Sequence, residues 1–220
     1  MKAKRIPKPM VSYTKIEEYF NIFTHLVGFA LSVVGSIFLI LRTIVLQYDA
    51  LAIFAVSVYS ATLVLCFAMS TVYHWMPNNS KSRRVFRRLD HCSISLLIAG
   101  TYTPFMLIGI GGVLGAVLTF VNLSLAVLLV TLNSIDVHRF RLLSIIGYLT
   151  MGWLLIAIIV PAWHNLGALA FIWLFAGGLS YTIGVVFYKL KFISFNHAIW
   201  HIFVLVGAVL MYISMFGYVV

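Results

Sequence analysis

The sequence predicts an all-α integral membrane protein, a seven-transmembrane helix bundle with its N-terminus in the cytoplasm and its C-terminus extracytoplasmic. Three observations carry this. First, 63% of the 220 residues are hydrophobic and only 9% are charged, with a mean hydropathy of +1.07, well outside the range of ordinary soluble domains. Second, the apolar residues fall into seven stretches of about 18 to 23 residues, each able to cross roughly 30 Å of hydrocarbon at 1.5 Å per residue. Third, 14 of the 15 basic residues fall on one side of the membrane if all seven stretches cross it.

The stretches run from Ile22 to Leu41, Leu51 to Val72, Leu89 to Ile108, Val113 to Leu132, Leu142 to Val160, Leu166 to Tyr188 and Ile199 to Val220. They lack the period-2 alternation of an outer-membrane barrel and are about twice as long as its strands. The first is too long for the apolar region of a signal peptide and is expected to be retained. Short connections and no internal repeat give one domain: a basic cytoplasmic segment over residues 1–17, then a transmembrane domain over 18–220.

Lys2, Lys4, Arg5, Lys8 and Lys15 precede the first span. Lys81, Arg83, Arg84, Arg87 and Arg88 follow the second, Arg139 and Arg141 the fourth, and Lys189 and Lys191 the sixth, leaving Arg42 alone on the other side. The positive-inside rule makes the basic side cytoplasmic. The net charge of +10 is thereby accounted for by anionic headgroups, with no need of nucleic acid. Cys66 and Cys92 lie in or at the edge of spans and read as buried thiols.

Polar residues interrupt the apolar background at four places, all at cytoplasmic helix ends. Glu18, Asn21 and His25 share a helix face; Ser70 and His74 are four apart; Asp90 and His91 open the third span; His197 and His201 are four apart at the start of the seventh. Two histidines at i and i+4 present two imidazoles from one face, and His74 on another helix supplies a third, the nitrogen set of a site with an open fourth position. Such ligands suit Zn²⁺ better than Mg²⁺ or Ca²⁺, and ligand type alone leaves copper and iron open. Asp90 is placed to exchange protons with a water, and Ser70 to bond that water or a developing oxyanion.

Each of these positions also has a plainer reading. Asp90 suits an ion pair with Arg87 or Arg88, or a favourable charge at a helix N-terminus; Ser70 suits a bond to its own helix carbonyl at i−4. Glu18, Asn21 and His25 read either as a network around Asp90 or as packing between the first two helices. His91, adjacent to Asp90, reads as an interfacial residue, and His138 and His164 as loop residues. Gly28, Ala30, Gly35, Gly177 and Gly178 read as close-packing positions, and Pro104 as a kink in the third helix.

The motifs Glu18-x-x-Asn21-x-x-Thr24-His25, Ser70-x-x-x-His74, Asp90-His91 running on to Gly100-Thr-Tyr-Thr-Pro104, and Asn196-His197-x-x-x-His201 together resemble the hemolysin III family, the bacterial branch of the progestin and adipoQ receptor superfamily. The resemblance runs from about Glu17 to the C-terminus. It implies a seven-helix bundle in a bacterial cytoplasmic membrane, with zinc near the cytoplasmic face on His74, His197 and His201, Asp90 reaching it through water and Ser70 close by. It further implies kinship with alkaline ceramidases, hydrolysis of a lipid amide, and a role in membrane-lipid homeostasis. The rival expectation is a non-enzymatic lipid sensor or an oligomeric pore-forming hemolysin in which zinc braces the helix ends. Polar residues gathered at one end, rather than through the depth of the membrane, disfavour a single-chain pore and a midplane transporter.

Overall fold

In the computed structural model, residues 13–157 and 159–220 are described. Of the basic segment 1–17, residues 1–12, with Lys2, Lys4, Arg5 and Lys8, lie outside the described residues. All regular structure among the described residues is helical: α1 (Lys15–Val45), α2 (Ala50–Trp75), α3 (Lys81–Pro104) continued by a π-helical turn (Phe105–Ile110), α4 (Gly112–Asp136), α5 (Arg141–Gly152), α6 (Leu154–Ala157), α7 (Ile159–Leu166), α8 (Ala168–Lys189) and α9 (Asn196–Tyr218).

Local chemistry starts the first three helices where their N-terminal N–H groups need acceptors. Thr14 and Glu17 form a reciprocal capping box on α1, while Asp49 accepts from Ala52 N at 2.8 Å on α2 and Ser80 from Arg83 N at 3.0 Å on α3. Pro104 is the last residue of α3, but the chain stays helical beyond it. It passes into the π-helical turn, which ends with Gly111 N donating to Met106 O at 2.9 Å.

The bundle is apolar outside and partly polar within. On α1 the buried face carries Asn21, His25, Gly28, Ser32 and Ser36, whereas Phe23, Ile37 and Phe38 point outward. Lipid is a better solvent than water for that outer face, and polar groups are kept where other helices can meet them. Among the described residues six helices, α1, α2, α3 with its π turn, α4, α8 and α9, are long and apolar enough to cross a membrane. This is a multi-pass membrane protein.

The contacts set the direction of each helix. His74, ending α2, bonds Glu18 at the start of α1, so these two are antiparallel. Ser144 on α5 bonds Asn133 near the end of α4, and Asn165 on α7 reaches Ile110 O at the far end of α3; α5 to α7 together therefore run from one end of the bundle to the other. The starts of α1 and α9 meet through His201 and Asn21 and their ends through Arg42 and Val220, so the two are parallel.

One expected element differs. Where the sequence predicts an unbroken span from Leu142 to Val160, the helix is interrupted at Trp153. Gly152 is a weak helix former, and Trp153 leaves helical geometry at φ −98°, ψ 11°. His164, read as a loop residue, lies on α7 and is exposed. Cys66 and Cys92 are free and buried.

Small residues do allow close packing in places. A Cβ on Gly28 would strike the Phe67 ring, and one on Gly35 would come within 3.1 Å of Tyr212. The tightest constraint is Gly115, where an added Cβ would overlap the carbonyl oxygen of Met106, backbone that cannot rotate away. Gly115→Ala should therefore cost about 1–3 kcal/mol and lower the melting midpoint in detergent, whereas Gly217→Ala, which meets nothing within 4 Å, should leave it unchanged.

Candidate metal centre

The starts of α1, α3 and α9 and the end of α2 converge at one end of the bundle, and three imidazoles meet there. His74 is 3% exposed, His197 7% and His201 0%, and one ligand atom from each lies within 4.8 Å of the others. His74 Nε2 and His197 Nε2 are 3.2 Å apart. Two nitrogens bound at 2.0–2.1 Å to one tetrahedral ion stand about 3.3 Å apart, so this pair is spaced as ligands are.

The remaining ring nitrogens fit the same reading. His74 Nδ1 donates to Glu18 Oε2 at 2.7 Å, and His201 Nδ1 donates to Asn21 O at 3.2 Å. Each bond leaves Nε2 unprotonated and aimed inward, the tautomer a metal requires. His201 Nε2 and His197 Nδ1 have no protein partner although buried. A hydrogen bond between His74 and His197 alone would leave His201 Nε2 orphaned at a cost of about 1–3 kcal/mol, whereas one shared cation would engage one nitrogen of each imidazole, His201 Nε2 included. The donor set fits a borderline-soft ion such as Zn²⁺.

Each ligand is held by its local backbone. Arg83, 1% exposed, donates to Met76 O at 2.7 Å and to His74 O at 3.4 Å, ion-pairs with Glu18, and lies over the Tyr73 ring at 4.9 Å. His197 follows a turn in which Phe195 takes a left-handed conformation, φ 59°, which non-glycine residues adopt mostly where surroundings enforce it. Three bonds enforce it here. Phe195 N donates to Glu17 Oε1 at 3.3 Å, and Asn196 Nδ2 donates to the last carbonyls of α8, Phe187 O and Tyr188 O, at 3.2 and 3.3 Å.

The other expected residues surround this centre. The hydrogen bonds of Glu18 and Asn21 go to His74 and His201 rather than to Asp90. His25 stacks on His201 with ring centroids 3.6 Å apart, and neither of its nitrogens has a protein partner. Ser70 is buried with its hydroxyl unpartnered, so it is not tied to its own helix. Asp90, 4% exposed, takes His91 as its ion-pair partner at 3.3 Å, not Arg87 or Arg88.

Asp90, His25 and His197 all line a cavity of about 130 Å³ that continues between α3, α5, α8 and α9, an order of magnitude beyond the space one water needs. Beyond its polar head the walls are mainly apolar, with Leu97, Ile98, Leu149, Val185 and Val204 among them.

Three features escape a reading of the sequence. His91 is not merely interfacial: it bonds Arg87 O at 2.9 Å, pairs with Asp90 and lines the cavity. Arg83 is indistinguishable in sequence from its basic neighbours, although its spacing of seven from Met76 would let it reach back over the α2–α3 turn. Tyr13 stacks on His197 at 4.9 Å, and burial pushes its phenol well above the ordinary tyrosine range, so it stays neutral.

Residues 13–212 match the family model described as haemolysin-III related. The chain belongs to the haemolysin-III-related family. It is 39% identical to hemolysin-3 of Bacillus cereus over 96% of this chain and 94% of the relative, and 38% identical to a hemolysin-3 homolog of Bacillus subtilis (strain 168) over 94% and 97%. It is also similar to the human monocyte to macrophage differentiation factor, 31% identical over 73% of this chain and 68% of that protein. The matched span takes in Tyr13, Glu18, Arg83 and all three imidazoles of this haemolysin-III-related centre. Because Glu18 fixes the ring of His74, Glu18→Gln should weaken Zn²⁺ binding about 10- to 100-fold in a competitive titration of the purified protein, and His201→Ala should abolish it.

Proposed function

We propose that this haemolysin-III-related protein is a zinc-dependent hydrolase that cleaves an amide, or secondarily an ester, in a membrane lipid. The observation that carries the proposal is the convergence of three imidazole nitrogens, one of them on His197, which together with the buried carboxylate of Asp90 lines an apolar cavity. A structural brace would need the imidazoles alone. Neither Asp90 nor an apolar chamber would serve it.

Bound by His74, His197 and His201, zinc would supply Lewis acidity to the scissile carbonyl and to the attacking water. Asp90 takes a proton from the water as its oxygen bonds to the carbonyl carbon, and returns it to the departing nitrogen as the C–N bond breaks, so the products are a fatty acid and an amine. The unpartnered hydroxyl of Ser70 is free to donate to the oxygen on which negative charge develops. Glu18, through His74, holds the centre rigid while charge moves across it. The apolar cavity keeps the acyl chain aligned and excludes bulk water.

The same reading places α5 to α7 as a seventh, interrupted crossing. It is supported by the parallel α1 and α9 and by the basic residues that follow α2, α4 and α8, which favour a cytoplasmic side for the metal centre and the N-terminus. Anionic headgroups then flank the site. The name of the bacterial relatives favours a second reading, an oligomeric membrane-lysing assembly with zinc as a brace.

Purified protein in detergent distinguishes them. Asp90→Ala should keep about one zinc per chain yet lose fatty-acid release from lipid amides by about 10²- to 10⁴-fold. Zinc-loaded wild type that releases no fatty acid from any amide offered, but makes dye-filled vesicles leak, would establish the second reading instead.

A further inference from the structure

The cavity has a definite depth. On α3 its lining runs from Asp90 to Tyr102, twelve residues or about 18 Å along a helix axis, and on α8 from Tyr188 to Gly178, ten residues or about 15 Å. Its far end coincides with the interruption after α5. There the Tyr102 hydroxyl donates to Gly152 O, and Trp153 Nε1 donates to Thr182 Oγ1 at 2.9 Å, so the break closes the chamber with bonds to two opposing helices. Gly178, the deepest α8 residue of the lining, faces open space: a Cβ there would meet nothing within 4 Å. The expectation that Gly178 serves close helix packing fails for this reason, whereas its neighbour Gly177 does pack, an added Cβ coming within 3.0 Å of Met211.

We propose that the interruption at Gly152–Trp153 sets the length of acyl chain the cavity accepts, and that Gly178 is the specificity-determining residue that leaves its deep end open to the longer chains. This inference rests on the reading of the cavity as an acyl slot. With C–C bonds of about 1.5 Å zigzagging at the tetrahedral angle, each methylene advances about 1.25 Å, so a slot of this depth takes about 12 to 14 methylenes from the metal centre to the floor. A side chain at position 178 would occupy the space of the last few. Each buried methylene is worth about fourfold in affinity, so excluding two or more costs about tenfold or more for long chains and nothing for chains that stop short.

The test is equilibrium binding of octanoate, dodecanoate and hexadecanoate to the zinc-loaded protein in detergent, read by native mass spectrometry and independently by quenching of Trp153 and Trp200, which line the cavity, with brominated chains. In Gly178→Leu, hexadecanoate affinity should fall about tenfold or more relative to wild type while octanoate affinity stays within about twofold. Gly178→Ala, which adds one carbon where there is space for it, should show a smaller loss confined to the longest chain and serves if the leucine variant does not fold. Uniform loss across all three lengths, or an unchanged length profile in both variants, overturns the role of Gly178 and leaves the acyl slot standing. A wild type that binds none of the chains overturns the acyl slot and the length selection together.

Discussion

Glu18 is the hinge on which the polar end of the bundle turns. One oxygen takes the Nδ1 proton of His74 at 2.7 Å and the other pairs with Arg83, so a single carboxylate on α1 ties together the end of α2 and the start of α3. Arg83 extends the tie by bonding the carbonyls of His74 and Met76, fixing the turn between those helices. Buried charges are costly to bring out of water, and here they are tolerated because each finds its opposite and most donors find an acceptor. Removing one partner would strand the other, a loss of about 3–5 kcal/mol in comparable buried pairs. The imidazole orientation and the helix geometry thus depend on the same few bonds.

Several polar groups around that network are left without a protein partner. Buried polar atoms are nearly always hydrogen-bonded in folded proteins. Yet Ser70 Oγ, both nitrogens of His25, His197 Nδ1 and His201 Nε2 lack protein partners at this end of the bundle, as do Ser36, Tyr59, Ser60 and Asn122 elsewhere in it. Those beside the imidazole cluster have a ready partner other than protein. A cation answers His201 Nε2, and a polar substrate group or water answers Ser70 and His25, which lie beside the same centre.

Much of this was legible in the chain. The i, i+4 spacing of His197 and His201, and the placement of His74 and Glu18 at helix ends that topology puts on one side, require only helix periodicity and the bias of basic residues. Asp90, expected to open its helix, lies instead about two and a half turns inside α3. What Glu18 touches was not legible, because the identity of a partner across helices depends on rotation and register, which apolar flanking residues do not encode. Arg83 was hidden by its neighbours: five basic residues in eight positions read as a headgroup-binding cluster, and only tertiary structure shows that one of them turns inward. His91 was misread because adjacent residues on a helix point about 100° apart; both edges of that wide angle border one cavity.

The broken fifth element shows the same limit and its physical reason. Hydropathy sums over Leu142–Val160 are indifferent to Gly152, since it does not change the apolar character enough to end a span. Within hydrocarbon, however, an interrupted helix survives only if its freed backbone groups and polar side chains find partners in protein. Tyr102 supplies a donor to Gly152 O, Trp153 N bonds back to Leu149 O at 2.9 Å, and Thr182 accepts from the Trp153 indole. Tyr102 and Thr182 sit on α3 and α8, walls of the cavity. The interruption is therefore stable only because it faces inward, and facing inward it gives the chamber a floor.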